Sequence, residues 1–172
     1  ETPIAIRVFD RKSPIDEKWF ARRIAHCVQK RSSLSRFTDA VRYVHGENDG
    51  FPGLVIDRYA EALVLKLYTP AWIPHLKEFC DALAQVSPAS HLILRLNRSL
   101  QKQTEFLYGF SDGMTLSHQT PPSLILFREN GFIFESDPIH GQKTGFFLDQ
   151  RDNRARVENL SKDKSVLNVF AY

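Results

Sequence analysis

Apolar and polar positions change period several times along this chain, and each change marks an element. Ile4 to Phe9 partly alternates and predicts a short strand. Phe20, Ile24, Cys27 and Val28 then recur at helical spacing, behind a Ser13-Pro14-x-Asp16 start, which predicts a helix to about Arg31. From Ala40 the apolar runs become short. Ala40–Val44, Leu54–Arg58 and Leu63–Leu67, joined by the polar turn HGENDGFPG and a tight connection at Ala60-Glu61, predict a meander. A second helix starts at Thr69-Pro70 or Ile73-Pro74 and buries Trp72, Leu76, Phe79, Cys80 and Leu83 on one face. His91–Leu96 is a further apolar strand. The segment NRSLQKQTEFLYG after it reads as exposed, and Phe110–Pro122 as an irregular surface loop. Leu124–Arg128 and Phe132–Glu135 flank Asn130-Gly131, a strong hairpin signal. A helix over about 150–160 follows, and the apolar run Ser165–Phe170 has the look of a buried parallel strand whose neighbours lie elsewhere.

This order predicts an α+β fold: a central meander sheet with a covering helix over residues 37–137, then the start of a second, α/β unit at 138–172. Composition adds a sizeable core, with 42% apolar and 12% aromatic residues. The charge is uneven. Residues 1–36 carry nine Lys/Arg against four acids, while the remainder has fourteen against sixteen, so a polyanion near the first helix is one reading and a solvated basic helix the other. Cys27 and Cys80 have no metal-ligand spacing and fall on apolar helix faces, which suits buried free thiols in a reducing cytoplasm. No apolar run of about 18 residues and no signal-peptide pattern is present, so neither membrane nor secretion is expected.

Candidate chemistry concentrates in HGQKTGFFLDQRDNR, residues 140–154. Gly141 and Gly145 permit a bent loop around Lys143 and Thr144 with amides presented to a ligand. Asp149 is placed to cap the following helix, on which Arg151 and Arg154 share a face and Glu158 lies within pairing range of Arg154. The Gly-Lys-Thr flavour does not make a nucleoside-triphosphate loop, because position 142 is Gln where that motif needs Gly. Packing roles for Phe146, Phe147 and Leu148, and a solvated face for the arginines, stand as the plain alternative. His45, Glu47 and Asp49 form either a metal or acid-base set or, more simply, a set of turn formers.

HGENDGFPGLVIDRY, GQKTGFFLDQRDNR and VLNVFAY, in that order, resemble the bacterial 23S ribosomal-RNA methyltransferases that use S-adenosylmethionine, most closely the branch that makes 5-methylcytosine. The resemblance implies three parts: the exit from an N-terminal RNA-binding PUA domain with a basic helix at 1–36, a central α+β domain at 37–137, and the start of a Rossmann-like catalytic domain at 138–172. It implies S-adenosylmethionine as cofactor, with Lys143, Thr144, Gly145, Gln150, Arg154, Phe170 and Tyr172 on its side of the site. Ribosomal RNA is the implied partner, near Arg22, Arg23, His45, Glu47 and Arg151. The family's cysteine nucleophile lies further on than Cys27 and Cys80, so no catalytic residue and no metal is expected here, and the chain by itself should be inactive. Guanine as the methylated base and a non-catalytic RNA-binding module remain the alternatives, and the oligomeric state is open between monomer and dimer.

Overall fold

The computed structural model describes residues 9–10 and 12–169. Most of the predicted strand at Ile4–Phe9 lies outside this range, as do Phe170 and Tyr172. Helix α1 spans Glu17–Lys30. It begins three residues after the expected Ser13 because Asp16, in extended backbone, accepts the Trp19 N–H at 2.7 Å and so takes the cap itself. Asp16→Ala should therefore cost about 1 kcal/mol, read as a lower urea midpoint with unchanged slope.

Strands β1 (Ala40–His45), β2 (Leu54–Tyr59), β3 (Ala62–Leu67) and β4 (His91–Leu96) form one sheet in sequence order. The first two pairings are antiparallel, as a meander requires, with a bulge between Arg42 and Val44. β3 and β4 run parallel, and the crossover between them is a 3-10 turn at Pro70–His75 followed by α2 (Leu76–Val86). Of the two expected starts of the second helix, Thr69 caps the 3-10 turn, whereas Pro74 lies inside that turn and α2 itself begins at Leu76. The hairpin β5 (Ile125–Glu129) and β6 (Phe132–Ser136) turns at Asn130 and Gly131, which have φ of +51° and +88°. Helix α3 covers Arg151–Ser161.

The sheet is buried on both faces by different means. One face packs on α1 and α2 through Leu54, Ile56, Leu65, Leu67 and Leu94, beneath an aromatic cluster of Trp19, Phe20, Phe51, Trp72 and Phe79. Each of those rings contributes about 1.5–3 kcal/mol by leaving water. Two helices therefore cover the sheet where one was expected, since α1, read as belonging to the N-terminal region, packs against α2 in the same core. The opposite face, with Tyr59, Val64 and Ile93, packs on Ile125 and Phe127 of the hairpin and on Phe146 of the loop that follows it.

The two segments after β4 are less irregular than their composition suggests. Leu100, in the 3-10 turn Leu100–Lys102, and Leu107, just after the 3-10 turn Thr104–Phe106, are buried. Residues 113–116 run along β4: Leu94 N–H donates to Met114 O, Leu116 N–H to Leu92 O, and Gly113 N–H to Leu94 O. The run at 165–169, expected as a buried parallel strand, forms no strand and is exposed, with Leu167 at 87%; no described strand lies beside it. No helix of the described residues is long and apolar enough to cross a membrane.

Candidate functional site

The loop from Asp137 to Gln150 folds on itself before it meets anything else. The Asp137 carboxylate accepts the Ile139 and His140 N–H groups at 3.0 and 2.7 Å, and its carbonyl accepts Gly141 N–H at 3.0 Å. Gly145 N–H closes on Gln142 O at 2.8 Å. A Cβ on Gly141 would stand 2.4 Å from Asp137 O, and one on Gly145 would stand 2.2 Å from Ser136 Oγ. Both glycines are thus set by close approach of the chain to itself, and their own amides are taken up inside the loop.

A row of charged side chains on the sheet holds this loop from beneath. Lys66 Nζ donates to Lys143 O at 2.8 Å. Arg95, oriented by Asp112 at 3.0 Å, donates to Pro138 O at 2.9 Å and Gly141 O at 3.3 Å. At the centre Asp57 is fully buried, held by Arg42 through two bonds of 2.8 Å, and it accepts the Thr144 hydroxyl. Tyr59 shares a 2.9 Å hydrogen bond with the same hydroxyl. A buried carboxylate needs this number of partners to remain charged. The hydrogen bonds that Arg42 donates to Asp57 raise its guanidinium above the ordinary range, burial raises the Tyr59 phenol, and burial with Arg95 nearby lowers the Lys66 ammonium.

The cofactor-side candidates therefore separate. Thr144 is 1% exposed, and its hydroxyl faces the sheet. Gly145 is walled by Ser136 and Asp137. Arg154 makes two 2.7 Å bonds to the buried Glu129, donates to Phe147 O at 2.8 Å, and lies 4.4 Å from the Phe146 ring centre. Glu129 thus replaces the expected partner Glu158. Lys143, at φ +56°, and Gln150 remain on the surface. The Lys143 ammonium sits 4.2 Å over Phe147 and 3.3 Å from Asp149. That pairing draws Asp149 away from the predicted cap; Gln150 holds the cap position of α3, without a side-chain cap bond. Gln150 and Arg154 also line an apolar groove of about 400 Å³ with Phe132, Phe134 and Val157, between the hairpin and α3.

The RNA-side candidates divide as well. Arg22 is exposed on α1, whereas Arg23 lies 4.7 Å over the Trp19 ring. His45 and Arg151 come together in a cleft of about 270 Å³, with Arg31 and Arg42, which the sequence did not single out. Glu47 sits exposed in the 3-10 turn Gly46–Asp49, outside that cleft. Asp49 bonds Arg31 at 2.6 Å and His45 N–H at 2.7 Å, and no group of three His, Cys, Asp or Glu among the described residues is placed to hold a metal. The turn-forming account of His45, Glu47 and Asp49 is the one the geometry supports. Burial raises both thiols, Cys80 to about 12, so neither is poised as a thiolate near neutral pH.

A Deinococcus radiodurans protein named ribosomal RNA large subunit methyltransferase is 42% identical over 179 residues, covering 99% of this chain and 44% of that protein. The ribosomal RNA large subunit methyltransferase I of Pseudoalteromonas translucida is another relative, at 36% identity over 95% of this chain and 41% of its own length. The chain thus spans about two fifths of the length of these curated relatives. No protein-family model matches it. Among solved structures, a protein assigned as a methyltransferase in complex with SAH superposes with a TM-score of 0.72 at 24% identity, over 87% of this chain and 37% of the other. A protein from Streptococcus mutans assigned as a SAM-dependent methyltransferase gives 0.71. At that identity the likeness establishes the fold.

Proposed function

We propose that this chain is one part of an S-adenosylmethionine-dependent methyltransferase acting on large-subunit ribosomal RNA in the cytoplasm, with C5 of a cytosine as the acceptor. The observation that supports the methyltransferase reading is the 42% identity, extending over 99% of the chain, sheet and loop together, to a protein named ribosomal RNA large subunit methyltransferase; the cytosine acceptor rests on the sequence resemblance. The SAH-bound structural neighbour supports the cofactor.

Methylation at C5 needs a nucleophile that adds to the ring, a sulfonium donor in line with it and a base taken out of its stack. S-adenosylmethionine supplies the methyl group when bound. Gly141 and Gly145 are backed by Ser136 and Asp137, and Thr144 is bonded toward the sheet. Cys27 and Cys80, with their thiols held protonated, are unsuited to be the nucleophile. This chain's contribution is positional. Lys66, Arg95 and Asp57 fix the loop, the loop presents Lys143 and Gln150, and the arginines beside β1 face the RNA. Residues 138–172 lead, on this reading, into the catalytic domain.

The test uses labelled S-adenosylmethionine and unmodified 23S RNA, with nucleosides identified by mass spectrometry. The intact protein should yield 5-methylcytosine, and the 172-residue chain alone should give no incorporation above a protein-free control. A methylated guanine would move the acceptor to the other base. No methyl transfer by the intact protein would remove the enzymatic reading in favour of an RNA-binding module.

A further inference from the structure

The cleft beside β1 has a construction that an ordinary charged surface lacks. Arg42 and Arg31 enter its lining already held: Arg42 by the fully buried Asp57 at 2.8 Å, Arg31 by Asp49 at 2.6 Å and by Cys27 O at 3.0 Å, with the Asp49 side chain 3% exposed. Each guanidinium has five N–H donors in a rigid fork, so both keep donors beyond those bonds. Their orientation is fixed before any ligand arrives, and a fixed cation loses less conformational freedom on binding an anion. Arg151 adds a third guanidinium, bonded at 3.2 Å to Asp152, which is 89% exposed. Asp149 is the acid in the lining, and its carboxylate is engaged by Lys143. Leu34 and Leu148 supply apolar walls.

We propose that this cleft seats one phosphodiester of the RNA strand, the phosphate on the forks of Arg42, Arg31 and Arg151 and its ribose against Leu34 and Leu148. Forked guanidinium is the side chain that matches a tetrahedral oxyanion through paired hydrogen bonds. The apolar walls distinguish a nucleotide unit from inorganic phosphate, which would leave them uncovered. The proposal rests on the RNA-substrate reading above and adds to it a defined contact in place of a diffuse basic surface. On this account Arg23, stacked on Trp19, has no part in the contact.

The experiment measures binding of a labelled single-stranded 23S RNA oligonucleotide to the intact protein across a salt series. Arg151→Gln should weaken binding about tenfold, as expected for loss of a charge-assisted hydrogen bond, and should make the plot of log Kd against log salt shallower by about 0.7, the value for one phosphate contact on a single strand. The double variant Arg151→Gln, His45→Gln should weaken it at least as much. Lys77→Gln, on α2 outside the cleft and with an 88% exposed side chain, should leave both affinity and slope unchanged. Wild-type binding with an Arg151→Gln slope equal to wild type would overturn the cleft and leave the RNA reading standing, and an equal loss from Lys77→Gln would overturn it too. Failure of the wild-type protein to bind RNA at any salt concentration would instead sink the RNA reading itself.

Discussion

Replacing Asp57 with Ala lowers the stability of this chain by about 3 kcal/mol or more, the range found when one member of a buried ion pair is removed. The carboxylate is fully buried, and its deletion strands Arg42, the Thr144 hydroxyl and, through Thr144, Tyr59. Arg42 retains 31% side-chain exposure, so water reaches the orphaned guanidinium and the lower part of the range applies. Against a total of about 5–15 kcal/mol for a domain, this is a large fraction. Urea titration gives the measurement. Thr144→Val should cost only about 1–2 kcal/mol, because the hydroxyl is lost while the ion pair survives. Equal costs for the two variants would mean that the loop hydroxyl, and not the buried charge, dominates this junction.

Gly145→Ala should be the second most damaging change, at about 3 kcal/mol, from two sources that add. At φ +119° an L side chain is strained by about 1–2 kcal/mol, and the new methyl would lie 2.2 Å from Ser136 Oγ and 2.8 Å from Asp137 O. Ser136 Oγ has no hydrogen-bond partner and can rotate aside, but the Asp137 carbonyl is main chain and holds Gly141 N–H, so it cannot. Overpacking of this kind costs roughly 1–3 kcal/mol. Gly131→Ala is the control. It has a φ of +88° and nothing within 4 Å of the added atom, so only the backbone strain remains. Calorimetric melting that placed the two alanine variants at the same Tm would show that the loop yields at Asp137.

The elements set by local chemistry were legible in the sequence. The β1–β3 meander, β4 and the Asn130-Gly131 hairpin follow from turn residues and short apolar runs, which act within a few positions. What could not be read were partnerships across long separations. Arg154 suggested Glu158 because a residue four positions on lies on the same helix face, yet Glu129, 25 residues away on β5, offers a buried bidentate site. Asp149 read as a cap until Lys143 engaged it. The polar row that anchors the loop did leave a trace: LVIDRY, ALVLKL and HLILRL each carry a charge on the sheet face that meets the loop. A charge inside an otherwise apolar strand implies a buried partner. The periodicity that predicts the strands treats Asp57, Lys66 and Arg95 as mere interruptions.

The strip at 113–116 along β4 bears on how the protein behaves at high concentration. An outer strand with open N–H and C=O groups is a template on which another chain can add by β-augmentation, the first step of edge-to-edge aggregation. On β4 those groups are all engaged from within. Leu92 N–H donates to Ser117 Oγ and Leu96 N–H to Asp112 Oδ1, Leu94 exchanges bonds with Gly113 and Met114, and Leu96 O accepts from Gln101 Nε2. A glycine-, serine- and proline-rich stretch with no strand periodicity thus works as a gatekeeper, saturating the edge without extending it.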